Sequence, residues 1–158
     1  MTKEISCFKA YDVRGRIPSE LNEDVAYRIG AGVATYFAAE SVVVGYDVRP
    51  SSIDILNALT KGINSKGAKV YSIGLCGTEE IYFATNHLNT DAGVMITASH
   101  NPADYNGLKI VGKGAKPVSM DSGLDEIKNI AEASESKTDK EPVIEIIDVK
   151  NEYIDKLM

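Results

Sequence analysis

With 158 residues, 44% hydrophobic and 25% charged, the chain is long enough for one domain with a real core and has an ordinary globular composition. Its net charge of -6 argues against a nucleic-acid partner, because phosphate backbones demand a basic face, but leaves room for a small anionic substrate in a locally positive pocket. Two cysteines, Cys7 and Cys76, make no disulfide framework or metal-ligand spacing, and no apolar stretch suits a bilayer span or secretory signal, so the expectation is a cytoplasmic protein without a membrane partner.

In chain order, Phe8–Val13 alternates like a short strand ending at Arg14-Gly15-Arg16. Asn22 reads as the cap of a helix over Glu23–Ala39, with Val25, Ile29, Val33 and Phe37 recurring every four residues as its apolar stripe. Ser41–Asp47 is a β-branched run, as expected of a strand covered on both faces. The next helix starts at Pro50-Ser51, where Ser51 and Asp54 have capping-box spacing, and closes at Gly67. Ala68–Ile73 is a third strand, Thr78–Leu88 a helix, Asp91–Ile96 a fourth strand and Leu108–Val111 a fifth, reached through an Asn106-Gly107 turn. A helix over Asp121–Ala133 precedes the polar stretch Ser134–Pro142, read as a mobile loop. Ile144–Ile147 is a short strand, and Val149–Leu157 the opening turns of another helix.

This alternation predicts an α/β fold, a three-layer α/β/α sandwich on a mixed, largely parallel sheet. Residues 1–147 are expected to form the domain, and 148–158 to begin a linker or helix toward a second domain absent from this chain. Ligands of open α/β sheets gather at the carboxyl ends of strands, where Arg14, Asp47 and Ser99 are expected.

The stretch Thr97-Ala98-Ser99-His100-Asn101-Pro102 follows the apolar run Ala92–Ile96 and puts a hydroxyl, an imidazole and an amide on a tight loop. A Ser99 nucleophile with His100 as base is disfavoured: G-x-S-x-G is absent, and adjacent side chains on extended backbone point opposite ways. An exposed serine can instead carry a phosphoryl group, which needs cations and donors such as Lys109, Arg14, His100 and Asn101 around it. Arg14 has three readings: an ion pair with Asp12, one with Asp47, or a substrate phosphate. For Asp47 and Arg49, an ion pair with helix capping that fixes the loop is favoured over catalysis. Gly30-Ala31-Gly32 lies within a helix with no preceding strand, so close helix packing explains it better than a dinucleotide fingerprint. His87 reads as a surface or boundary residue.

Four segments together resemble one family. Lys9-Ala10-Tyr11-Asp12-Val13-Arg14-Gly15, Val44-Gly45-Tyr46-Asp47-Val48-Arg49-Pro50-Ser51-Ser52, Thr97-Ala98-Ser99-His100-Asn101-Pro102 and Tyr105-Asn106-Gly107-Leu108-Lys109 are similar to the N-terminal domain of the α-D-phosphohexomutases. Gly77-Thr78-Glu79-Glu80-Ile81-Tyr82-Phe83 lacks the family's common Thr-Pro pattern and looks like the bacterial phosphomannomutase branch, linked to GDP-mannose and polysaccharide synthesis. The resemblance implies a four-domain enzyme in which Ser99 carries a phosphoryl group to a hexose monophosphate. The bisphosphate formed turns over and returns its other phosphate, interconverting mannose 6-phosphate and mannose 1-phosphate.

It further implies Lys109 and Arg14 as electrostatic partners, Lys109 also for proton transfer, with His100 and Asn101 positioning the serine and Tyr11 ordering the loop. Magnesium is implied, held through the phosphate on Ser99 and an Asp-Gly-Asp-x-Asp-Arg loop of a second domain. No such loop occurs here, so the chain alone is expected to fold without meaningful mutase turnover. The alternatives are a phosphoglucomutase or phosphoglucosamine mutase and, from another class, a non-catalytic interaction module.

Overall fold

Asn22 caps the first helix as its position suggests: its Oδ1 accepts from Val25 N at 2.9 Å, and α1 (Glu23–Tyr36) follows. The computed structural model describes residues 4–137 and 140–157. The other elements are strands β1 (Val13–Arg16), β2 (Ser41–Tyr46), β3 (Lys69–Leu75), β4 (Ala92–Ile96), β5 (Tyr105–Gly112), β6 (Lys116–Pro117) and β7 (Ile144–Ile146), and helices α2 (Ser52–Asn64), α3 (Thr78–His87), α4 (Leu124–Ala133) and α5 (Lys150–Leu157).

The strands form one mixed sheet in the order β1-β5-β4-β2-β3-β7, with β6 beside β5. β2 runs parallel to β3 and β4, and β3 parallel to β7, while β5 is antiparallel to β1, β4 and β6. One face packs Val42, Val44 and Val94 against Val25, Ile29 and Val33 of α1, Leu59 and Ile63 of α2 and Ile127 of α4. The other packs Val43, Met95 and Val111 against Ile81 and Ala84 of α3. The β-branched run of β2 is continuous because both faces are covered; each such side chain, fully buried, contributes about 1.5–3 kcal/mol. The three-layer α/β/α expectation is met.

Several boundaries differ for local reasons. The first strand is Val13–Arg16 rather than Phe8–Val13: Lys9 N donates to Asp12 O at 2.7 Å and Phe8 bridges Val13, so residues 9–12 form a hairpin tip. Arg14 therefore sits inside β1, opposite Gly107, not beyond a strand end. Helix α1 stops at Tyr36, short of Ala39, as the chain turns through Ala38 at φ 48°. The capping box at Ser51 does not form, because the Ser51 hydroxyl accepts from Asn106 Nδ2 at 2.8 Å instead. Asn106 and Gly107 make no turn; both lie within β5, and the reversal before it is closed by Tyr105 N donating to Pro102 O at 2.9 Å. The helix expected from Asp121 is a 3-10 turn over Met120–Ser122, a break at Gly123 with φ 130°, and then α4.

Of the polar stretch Ser134–Pro142, expected to be a mobile loop, Thr138 and Asp139 lie outside the described residues. Its start is tied down: the buried Arg28 donates from Nε to Ala131 O at 3.0 Å and Ser134 O at 3.1 Å, and Ser136 Oγ donates to Asp24 Oδ1 at 2.7 Å.

Candidate active site

β4 is buried at every position, and its last residues are fixed from both sides: Asp47 N donates to Ile96 O at 3.1 Å and Thr97 N to Gly107 O at 2.9 Å. Gly107 is where β1 and β4 close on β5; a Cβ there would meet the carbonyls of Val13 and Thr97. From this platform the chain turns outward. Ser99 N donates to Thr97 Oγ1 at 3.0 Å, and Asn101 N to Ala98 O at 3.1 Å. Ala98 is buried, whereas Ser99 and His100 are exposed.

Ser99 has φ 55°, the left-handed region that a non-glycine residue enters at a cost of about 1–3 kcal/mol unless its surroundings hold it there. Arg49 holds it. Its Nη2 donates to Ser99 O at 2.9 Å and Asn101 O at 2.8 Å, and its Nη1 to Pro102 O at 2.6 Å and Tyr105 O at 3.0 Å. The remaining donor, Nε, faces Asp47 Oδ2 at 3.3 Å. Asp47 Oδ1 accepts from Ser52 Oγ at 3.0 Å and from Arg49 N at 3.2 Å. Ser52 Oγ in turn accepts from Asn106 Nδ2 at 3.1 Å, and both residues are fully buried. The Asp47–Arg49 ion pair was legible in the sequence as a loop fastener; that the loop it fastens belongs to Ser99 was not.

Of two further cations, Arg14 touches the loop and Lys109 is linked to it through Asp12 and Arg14. Arg14 Nη1 donates to Asn101 Oδ1 at 3.3 Å, and Arg14 Nη2 lies 4.0 Å from Asp12 Oδ1. Lys109, opposite Met95 on β5, places Nζ 3.7 Å from Asp12 Oδ2. Asp12 thus lies between Arg14 and Lys109; of the three readings of Arg14, the Asp12 ion pair is present and the Asp47 one is not. The Lys109–Asp12 contact had no signal in the sequence, because the hairpin that brings Asp12 over β5 was read as a strand. Tyr11, beside Asp12 on that tip, is 79% exposed. His100 makes no side-chain hydrogen bond among the described residues, so no serine–histidine pair forms.

The thiols are no substitute nucleophiles. Burial pushes Cys7 up to about 11 and Cys76 to about 12, from an ordinary 9.0. Among the described residues no group of His, Cys, Asp and Glu could hold a metal ion. The carboxylates around the loop are already engaged, Asp12 by Lys109 and Arg14, Asp47 by Arg49 and Ser52, Asp104 by Arg16. These side chains alone do not fit a metal. A cavity of about 490 Å³, lined by Lys61, Asn64 and Ser65 among others, opens at the other end of the sheet, where α2 ends.

An exposed serine just past a buried strand, with Arg14 on its loop and Lys109 joined to Arg14 through Asp12, suits phosphoryl chemistry, and the family follows. Residues 6–138 match the model of the phosphoglucomutase/phosphomannomutase α/β/α domain I, and the chain belongs to that family. Among its relatives, a phosphomannomutase of Salmonella typhimurium is 49% identical over 165 residues, covering 100% of this chain and 35% of that protein. A Klebsiella pneumoniae phosphomannomutase is 46% identical, covering 96% of this chain and 99% of that protein. A solved structure of a phosphoglucomutase/phosphomannomutase family protein from Burkholderia thailandensis superposes with a TM-score of 0.83 at 32% identity, over 99% of this chain and 36% of that one. The chain spans about a third of the length of most of the curated relatives it matches. No helix among the described residues is long and apolar enough to cross a membrane.

Proposed function

We propose that this chain is the phosphoserine domain of a phosphomannomutase that interconverts mannose 6-phosphate and mannose 1-phosphate. The observation that carries the reading is Ser99 itself: an exposed residue at φ 55° on a loop bonded to Arg14, with Lys109 joined to Arg14 through Asp12. Phosphoryl transfer asks for in-line placement and neutralised charge on the transferred oxygens more than for covalent help. A fixed serine backbone serves the first need, and two cations serve the second.

In the reaction, a free hydroxyl of the hexose monophosphate attacks the phosphorus on Ser99. The bond from Ser99 Oγ to phosphorus breaks, the attacking hydroxyl loses its proton, and a hexose bisphosphate forms. The bisphosphate reorients and returns its other phosphoryl group to Ser99 Oγ. Lys109 and Arg14 offset the phosphoryl charge, with Lys109 also a candidate for moving the hydroxyl proton; Asn101, bonded to Arg14, orients it. His100 and Tyr11 are assigned to positioning at the exposed rim.

Residues 1–147 are assigned to domain I and 148–158 to the passage into a second domain. The chain covers 35% of a Salmonella typhimurium relative, which supports further domains in the whole enzyme. Magnesium, if bound, has one ligand here, the phosphate on Ser99; its other ligands are assigned to later domains. The proposed setting is cytoplasmic supply of mannose 1-phosphate for GDP-mannose and polysaccharide synthesis.

Turnover of mannose, glucose and glucosamine 6-phosphates by the full-length enzyme tests the reading. Mannose 6-phosphate is expected to be turned over most efficiently, and Ser99→Ala to abolish turnover of all three. Preference for glucose or glucosamine would reassign the enzyme within its family, and full activity of Ser99→Ala would end the phosphoserine reading.

A further inference from the structure

A third cation, Arg49, binds the backbone of the serine loop. Arg49 is almost wholly enclosed, with its side chain 10% exposed. A guanidinium carries five N–H donors. Here each nitrogen is spent inside the protein, on the carbonyls of Ser99, Asn101, Pro102 and Tyr105 and on the carboxylate of Asp47. Its charge is offset by Asp47, so the pair adds geometry to the site rather than field. Ser99 is thereby held at both backbone ends, its N–H on Thr97 Oγ1 and its carbonyl on Arg49.

Behind Arg49 stands a chain of hydrogen bonds. Asn106 of β5 donates to Ser52, Ser52 donates to Asp47, and Asp47 pairs with Arg49. The chain links β5, the start of α2 and the loop after β2 to residues 99–105. Lysine could not replace Arg49, because a tetrahedral ammonium has three donors and no planar fork.

We propose that Arg49, set by Asp47, Ser52 and Asn106, is the positioning residue that keeps Ser99 in its left-handed backbone conformation and so fixes the direction of Ser99 Oγ for phosphoryl transfer. The catalytic half of this statement rests on the phosphoserine reading above; the conformational half does not. All three Arg49 guanidinium nitrogens are engaged by protein groups. Arg49 acts through the backbone of Ser99, leaving Arg14 and Lys109 to meet the phosphoryl charge.

The test uses the full-length enzyme, wild type and Arg49→Lys, with two readouts. The first is the Ser99 amide signal in selectively ¹⁵N-serine-labelled protein, assigned by its loss in Ser99→Ala. The second is the rate at which Ser99 takes phosphate from glucose 1,6-bisphosphate, followed by intact mass. Arg49→Lys is expected to shift or broaden the Ser99 signal and to slow loading about 10–100-fold, the effect of misplacing a reacting group by about 1 Å. KM for the hexose phosphate is expected to change little. In Arg49→Ala, added guanidinium ion is expected to recover part of the rate, which a general loss of folding would not allow.

A wild-type Ser99 signal with wild-type loading in Arg49→Lys would overturn the proposal. Wild-type enzyme that takes no phosphate would overturn the phosphoserine reading instead, and the amide signal would still decide the conformational half. Should both Arg49 variants fail to fold, Ser52→Ala removes one link only. It is expected to move the Ser99 signal and slow loading in the same direction, and an unmoved signal would overturn the proposal.

Discussion

The seam between α1 and α2 and the loop over 97–105 both hold backbone in tight quarters, by opposite means. At the seam the helices touch through glycines: a Cβ on Gly30 would strike the carbonyl of Leu59, and one on Gly62 the carbonyl of Tyr27. Around them Ile29, Leu59 and Ile63 are fully buried. The grip is apolar, non-directional and dependent on volume. The serine loop has almost no apolar grip, since residues 99–104 are exposed or half-buried. One guanidinium collects its carbonyls. Directional bonds let a segment be exposed and still keep one shape, which is what a phosphoryl carrier needs; burial would fix the loop and hide the hydroxyl.

If the two regions divide the work in this way, changes at one should spare the other's readout. The larger effect is expected at the site. Lys109→Met in the full-length enzyme should lower kcat/KM about 100-fold, the usual loss when one charge-stabilising donor is removed. The denaturation midpoint should fall only slightly, because the half-buried Lys109–Asp12 contact is long, at 3.7 Å, and Asp12 keeps Arg14 beside it. Steady-state kinetics beside a urea titration measures both, and a loss of stability matching the loss of rate would break the division. A smaller effect is expected at the seam. Gly62→Ala should cost about 1–3 kcal/mol by overpacking, read as a lower urea midpoint. Phosphate uptake by the folded fraction should be unchanged; impaired uptake without lost stability would show the seam serving the site.

What the sequence reveals differs between these regions for the same physical reason. Asn22 announces α1 because a cap acts on its own helix within three residues, and the Val25–Ile29–Val33 stripe announces the core because burial follows helical period. Ser99 stands out because a long apolar strand stops just before it. Arg49 could be recognised as a partner of Asp47, two residues away, but its bonds reach carbonyls fifty or more residues along the chain. Carbonyls carry no residue identity, so no pattern reports such a contact. Asn106-Gly107 misled for a related reason. The pair commonly makes a turn, but here Gly107 is needed where three strands crowd together, and the Asn106 amide is spent on Ser51 and Ser52. Asp12 is legible as a partner of Arg14 but not of Lys109, because Phe8–Val13 alternates like a strand, and the bond from Lys9 N to Asp12 O that folds residues 9–12 into a hairpin tip is a backbone choice.

The central claim is that the hydroxyl of Ser99 is the phosphoryl carrier, and intact mass tests it most directly. Full-length enzyme incubated with glucose 1,6-bisphosphate should gain one phosphate, mapped by peptide fragmentation to Ser99, and the Ser99→Ala enzyme should gain none. A wild-type mass that never rises, or a phosphate that persists in Ser99→Ala, would contradict the account.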